Sequence, residues 1–439
     1  MSRVMKDSGI PWIGEIPSHW RTERIKTIFS ERTELSEEGT EDLLSVSEYY
    51  GVDKRAGRVE EGEFVSRSES LVGYKKCYKG DVVSNIMLAW KGSLGVSNYD
   101  GVVSPAYCVY KPTNSIAPKY YHYLFRTPLY TGRFRCFSKG IIDSRLRLYS
   151  PYFYDIEAII PPQEEQQAIA NFLDKKSSEI DKMISLQERI IEELKAYKQS
   201  VITEAVCKGL NPDVPMKDSG FDWLGSIPKR WKVKPLKYVL RRRNEKNSPV
   251  KSTERLSLSI GVGITRYEDK TTNLDRFKDD FTQYQLAYPK DIVLNSMNMI
   301  VGAVGMSKFF GCVSPVYYVM SVNQGLSPEY YAYLLNIPTI RWVYHSLGKG
   351  IYAIERGEGR VNTCRLKVPF EDFGRIEIPV PPLEEQQAIA DYLDEKSTEI
   401  DTLISVKQSK IDALKEYKKS IIYEYITGKK ETHSVSIKE

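Results

Sequence analysis

The chain is written twice, and that constrains its fold more than any single motif. Met5–Trp20 reads MKDSGIPWIGEIPSHW and Met216–Trp231 reads MKDSGFDWLGSIPKRW, identical at 10 of 16 positions. DVVSNIMLAWKGSLGVS (from Asp81) returns as DIVLNSMNMIVGAVGMS (from Asp291), and APKYYHYLFRTPLY returns as SPEYYAYLLNIPTI. PPQEEQQAIANFLDKKSSEID (Pro161–Asp181) and PPLEEQQAIADYLDEKSTEID (Pro381–Asp401) agree at 16 of 21 positions. The offset grows from 211 to 220 along the repeat, which places an insertion near Tyr352–Val361 of the second copy. A repeat of this length predicts two similar folding units related by an internal pseudo-two-fold.

Each copy has two textures. A first block of short β-rich runs with Gly and Pro punctuation carries two helices that open on proline, as in PKYYHYL and PEYYAYL. A long helix follows. Pro161 and Pro162 end a strand and admit a helix from Gln163 to about Cys207, with Glu164 and Glu165 at its positive dipole end and Gly209 and Pro212 as stops. The second helix is predicted from Leu383 to about Thr427, stopped by Gly428. Each would be a rod on the order of 65 Å long.

Apolar residues recur along both rods at steps of three and four: Ile180, Ile184, Ile191, Leu194 and Val201, matched by Ile400, Ile404, Ile411, Leu414 and Ile421. So narrow a stripe needs a partner, and the natural partner is the other rod, antiparallel to it. Gln187 and Lys407 interrupt the two seams at the same place. They either set register or reach round to water; the latter is the reading adopted. The expected fold class is therefore α+β, with two globular blocks separated by two long antiparallel coiled-coil helices.

Positive charge gathers in the blocks. Ser66–Tyr149 carries a net +9 and Phe281–Lys367 a net +4, whereas Glu164–Ala205 carries −3. Two basic blocks favour a polyanion, with nucleic acid as the default. The candidate contacts are Lys91, Arg133, Arg135, Lys139, Arg145 and Arg147 in the first block, and Lys308, Arg341, Lys349, Arg356, Arg360 and Arg365 in the second. Asn85 and Asn295 occupy matched places and either face a ligand or stabilise turns. Trp12, Trp20, Trp223 and Trp231 have the matched spacing of packing residues that clamp each rod to its block.

Signals of catalysis are missing. There is no GxxxxGK[ST], no HExxH and no complete dinucleotide fingerprint. The six cysteines form no CxxC and read as reduced thiols of a cytoplasmic protein, with no metal site, signal peptide or membrane span expected. A DNA-free scaffold and an enzyme with diverged motifs are the competing readings. Basic blocks argue against the first, and the lack of motifs against the second.

The doubled KDSGxxWxGxIPxxW unit and the doubled PPxEEQQAIA rod opening resemble the specificity subunit of type I restriction–modification systems, in an order that covers nearly the whole chain. The resemblance implies this organisation: residues 1–160 as the N-terminal unit with target recognition domain 1, 161–208 as spacer helix 1, 209–380 as linker, repeated unit and target recognition domain 2, 381–428 as spacer helix 2, and 429–439 as a tail. It implies a non-catalytic subunit that binds double-stranded DNA, each recognition domain reading half of an asymmetric bipartite site. The helices would set the spacer and dock two modification (methyltransferase) subunits, which restriction subunits join. S-adenosylmethionine and ATP would belong to those partners, and this chain would carry no cofactor.

Overall fold

The computed structural model describes residues 3–55, 70–270, 280–351, 355–356, 360–361 and 365–432, with side chains at all of these outside 351–365. It divides into two compact units, Met1–Glu188 with Ser409–Glu439, and Arg189–Gln408. The division falls inside both rods, so each unit owns half of each rod, an arrangement that a linear domain map does not express.

In the first unit the tryptophan-framed segment is a hairpin, Met5–Asp7 against Glu15–Pro17. Arg21–Arg24 then pairs with Glu157–Ile160, the strand that feeds the first rod. An antiparallel sheet follows in the order Phe29–Glu31, Tyr107–Pro112, Val82–Asn85, Leu94–Val96. Helices α1 (Pro118–Leu124) and α2 (Pro128–Phe137) open on proline as expected, and the Thr127 hydroxyl caps α2 by accepting from the Tyr130 N–H. A short helix α3 (Ser150–Tyr154) precedes the first rod, α4 (Gln163–Lys208). Phe29, Tyr120, Tyr121, Phe125, Tyr130, Phe134 and Phe153 make a buried aromatic core between sheet and helices. Most of the ring pairs meet edge-on or tilted, as the ring quadrupole favours.

The second unit repeats this: a sheet ordered Leu240–Arg242, Tyr317–Val322, Ile292–Asn295, Val304–Met306, with α5 (Pro328–Leu334), α6 (Pro338–Leu347), α7 (Phe370–Gly374) and the second rod, α8 (Leu383–Ile426). The additional residues of this copy lengthen a hairpin. Lys349–Ile351 pairs with Arg365–Lys367, and further out Glu355–Arg356 pairs with Arg360–Val361.

Rod pairing is antiparallel within each unit. In the first, Phe172 meets Tyr425 with ring centroids 4.4 Å apart, and Asp181 accepts from the Lys418 ammonium at 2.7 Å. In the second, Lys198 donates to Asp401 at 2.7 Å. Ile180, Ile184, Ile191, Ile400, Ile411 and Ile421 are buried, while Leu194, Val201, Ile404 and Leu414 are half-buried at the seam's edge. Gln187 corrects an expectation: it does not reach round to water but is buried, its Oε1 without a hydrogen-bond partner. Lys407, whose longer stem can carry its charge outward, is half-buried.

The repeated motifs are the clamps that fix the rods. Trp20 is fully buried, and its indole N–H donates to Glu165 Oε2 at 2.8 Å, in the first turn of α4. It also packs on Gly428, the stop of α8, where a Cβ would lie 2.8 Å from the indole and 2.5 Å from Pro17. Trp231 does the same with Glu385, at the start of α8, and with Gly209, the stop of α4. Both glycines have left-handed φ, +79° and +76°, so conformation and close approach both require them. The next residue of the motif is equally occupied. Gln166 accepts from the Ala117 N–H at 2.9 Å and donates to the Pro161 carbonyl at 2.8 Å, and Gln386 repeats this with Ser327 and Pro381. Tyr120 and Tyr330 hydroxyls donate to the Ile426 and Val206 carbonyls, closing the free ends of α8 and α4. Each unit thus holds the start of one rod and the end of the other.

Candidate nucleic-acid interface

In both units one end of the sheet carries a cluster of loops. Asn85 ends a strand, and its Oδ1 accepts from the Met87 N–H at 3.1 Å; Asn295 repeats this with Met297. These asparagines hold turns rather than face a ligand. In the first unit the turn leads into a 3-10 segment, Ala89–Lys91, against which α2 packs. The loop 138–149 joins them through the Leu148 N–H, which donates to the Ile86 carbonyl at 2.9 Å. That loop is a pinned finger. Lys139 and Arg147 exchange two backbone hydrogen bonds of 2.9 Å, and Leu146 is buried beneath. Gly140 has φ +152° and no room for a Cβ, which would lie 2.5 Å from the Arg145 carbonyl oxygen. At the tip Ile141 is 99% exposed and Ile142 54% exposed.

The charges around the finger are not equivalent. Lys91, Arg135, Lys139 and Arg145 are exposed. Lys91 and Arg135 both approach the Trp90 ring at 5.2 Å, and Arg135 also pairs with Asp143 at 2.9 Å. Lys139 lies 4.7 Å from the Tyr152 ring. Arg147 turns back on its own loop, donating to the Leu146 carbonyl at 2.8 Å. Arg133 is a packing residue: its guanidinium stacks between Trp12 and Phe137 at 5.2 and 4.5 Å, with its Nε buried.

The second unit keeps the frame and changes the surface. The Val368 N–H donates to the Ser296 carbonyl at 3.0 Å, as Leu148 does to Ile86. Trp342 on α6 is 67% exposed, with Val301 and Met297 also exposed. Lys349 is exposed and paired with Asp372 at 2.8 Å. Arg341 is drawn inward. It donates to Asn336 Oδ1 at 2.9 Å, covers Gly302, and burial lowers its pKa. Lys308 is exposed in the turn after Val304–Met306, at the far end of that strand from the loop cluster, so it does not join the others. Arg356, Arg360 and Arg365 lie outside the residues whose side chains are described.

Of twelve predicted contacts, the structure brings Lys91, Arg135, Lys139, Arg145 and Arg147 to one cluster and leaves Lys349 on its counterpart. The exposed apolar members, Ile141, Ile142 and Trp342, and the half-buried Trp90 were missed by sequence reasoning. Only Trp342 had a signal, standing where the first copy has Gly132.

His122 is half-buried beside Gly51 and Gly95; desolvation of its ring, aided by the Arg126 cation, pushes its pKa down to about 3. It serves as a neutral acceptor for the Val96 N–H at 3.3 Å. Cys77 and Cys207 are free, their thiols pushed up by burial to about 12. Cys108, Cys136 and Cys312 are also free, and Cys364 lies outside the described residues. Among the described residues no group of three His, Cys, Asp or Glu side chains could hold a metal ion, and no helix is long and apolar enough to cross a membrane.

Comparison with known proteins agrees with this architecture. Residues 17–196 and 228–416 each match the type I restriction modification DNA specificity domain. A relative from Methanocaldococcus jannaschii, named for the specificity subunit of the type I restriction enzyme MjaX, is 25% identical over 95% of both chains. The MjaVIII specificity subunit of the same organism is 24% identical over 79% of each. Among solved structures, a chain from work on assembly and conformational transition of the type I R-M system superposes with TM-score 0.66 at 15% identity, over 94% of this chain and 98% of that one. The HsdS subunit from Thermoanaerobacter tengcongensis gives 0.52 at 15% identity over the same shares. Two matched domains spanning most of the sequence, on the duplicated frame described above, make this chain a member of the type I restriction–modification DNA specificity family, a recognition subunit rather than a catalytic one.

Proposed function

We propose that each unit reads one half of an asymmetric, bipartite DNA site through its loop cluster, and that the rods set the spacing between halves. The observation that carries this is the contrast within one chain. Matching clamps hold two clusters in which Lys139 recurs as Lys349 but the exposed Lys91, Gly132 and Arg135 become Val301, Trp342 and His345, a divergence that suits two readers of unlike half-sites. In the first cluster, cations supply phosphate contacts and the finger supplies side chains for a groove. The rods and clamp hairpins dock two methyltransferase subunits, which restriction subunits join; S-adenosylmethionine and ATP are carried by those partners.

The test uses the chain with its methyltransferase partner. Replacing Lys139 and Arg145 by Ala should weaken DNA binding and flatten its salt dependence by about 0.9 in log–log slope per lost phosphate contact. Unchanged affinity and slope would remove the finger from the interface. Deleting seven residues from both rods, about 10 Å or roughly three base pairs, should alter the tolerated spacer and leave both half-site sequences intact. Altered base preference inside a half-site would count against the rods as the spacer.

A further inference from the structure

The second unit contains a cavity of about 380 Å³ whose lining includes Lys237, Arg241, Arg242, Met320, Phe373 and Gly374. It lies away from the loop cluster, between the edge strand Leu240–Arg242 and α7. Its floor is apolar. Its rim carries three cations and no carboxylate, and none of those cations makes an ion pair among the described residues. Arg242 is exposed and lies over two rings, Phe370 at 4.8 Å and Tyr318 at 5.2 Å.

The first unit shows what fits. There the counterpart of Gly374 is Tyr154, the last residue of α3. Its ring packs against Tyr110 with centroids 5.7 Å apart and an interplanar angle of 68°, beside Glu31. Tyr110 and Glu31 are the counterparts of Met320 and Arg242, as the matching strand registers require. In the second unit the ring is deleted, a slimmer side chain stands behind it, and the acid has become a cation. Two exchanges open the space, and a third, Glu31 to Arg242, reverses the charge beside it.

We propose that this cavity is a binding site for an aromatic ring that carries negative charge. The ring would take the place that Tyr154 holds in the first unit, over Phe373 and Met320, with its anionic group at Lys237, Arg241 and Arg242. A free aromatic carboxylate and an aromatic side chain flanked by acids on a partner protein share this chemistry. The inference does not rest on the DNA reading, because no residue of the loop cluster is involved.

Two probes separate the sources: 4-hydroxyphenylacetate and the peptide Ac-Asp-Tyr-Asp-NH2, each titrated into the full chain with ligand-observed NMR. Saturable binding of at least one is expected, and the tighter by roughly tenfold names the source. Gly374→Tyr refills the space from within. A Cβ at Gly374 meets only the Lys237 side chain, at an ordinary 3.6 Å, so this variant should fold, keep DNA specificity and lose the probe. The exposed pair Lys237→Glu/Arg241→Glu should weaken binding by at least about tenfold without touching the floor. No saturation by either probe at about 10 mM, or binding that survives both variants, would overturn the proposal.

Discussion

The two units of this chain are one experiment run twice, and the residues on which they agree differ in kind from those on which they part. They agree at the clamps: Trp20 and Trp231, Glu165 and Glu385, Gln166 and Gln386, Tyr120 and Tyr330 make the same hydrogen bonds in both. They agree in an ion pair on a buried aspartate, Arg32–Asp81 and Arg243–Asp291, each bidentate, with the half-buried arginine under a tyrosine ring. They part at the loop clusters, where Lys91 and Arg135 of the first copy are replaced by Val301 and His345 in the second. Agreement marks what the frame needs to hold two rods; divergence marks what is free to meet different ligands.

The clamp tryptophans should give the largest effect. Truncating a buried Trp costs about 3–5 kcal/mol, and here it also removes one hydrogen bond from a carboxylate. Trp20→Ala and Trp231→Ala should therefore destabilise their own units by similar amounts, read by urea unfolding with hydrogen exchange resolved by unit. A large loss in one and a small loss in the other would break the equivalence of the clamps.

Next in size is a deliberate asymmetry. Glu165 accepts from Trp20, His19 and Arg3, whereas Glu385 is held by Trp231 and Arg230 and leaves Oε1 buried without a partner. Burial alone would raise the Glu165 carboxyl, but the bonds from Trp20, His19 and Arg3 outweigh it and hold its pKa below the usual value. A depressed folded pKa stabilises above the unfolded value, about 4.3, and that contribution is lost as pH falls through the folded pKa. Glu165→Gln should cost about 1.5–3 kcal/mol at pH 7 and progressively less below about pH 4. Glu385→Gln should cost less at pH 7. The wild-type-minus-variant difference in unfolding free energy, followed against pH, checks both.

How far this was legible in sequence follows from the same comparison. The rods were readable because proline, periodicity and glycine stops are local signals, and their bounds fell within about a residue of expectation. The clamps were readable as repetition, though their partners were not: PPxEEQ looked like dipole compensation, yet Glu165 and Gln166 are specific acceptors of distant donors. The interface was read only in part, since charge counts ignore direction. Arg133 and Arg341 are cations spent on packing against Trp12 and over Gly302. Lys308 lies at the wrong end of its strand because strand order, not sequence order, decides which loops share an edge. The exposure of Ile141 depends on a bridge between Lys139 and Arg147 that no periodicity announces.

A smaller test concerns the seam. Gln187 is buried with an unpaired oxygen, while its counterpart Lys407 is half-buried. Gln187→Leu should raise stability by about 1 kcal/mol, and Lys407→Leu should stay within about 0.5 kcal/mol of neutral. Loss of stability in Gln187→Leu would indicate that the amide fixes rod register, the role a single polar seam residue can take.

The smallest expected effect probes the repeat most directly. An offset of 220 residues carries Asp181 onto Asp401 and Lys198 onto Lys418. The two inter-rod ion pairs, Asp181–Lys418 and Asp401–Lys198, are therefore one contact made once in each unit with the rods' roles exchanged, and both have donor–acceptor distances of 2.7 Å. The aspartates are exposed and the lysines partly so, which limits each coupling to about 0.2–1 kcal/mol. Double-mutant cycles should return equal couplings that fade together as salt rises. Equality would mean that the rods pair by a rule written into the duplicated segment itself. A coupling present in one unit and absent in the other would mean that the two halves of the seam have diverged as the loop clusters have, and that the antiparallel pairing is held by the clamps alone.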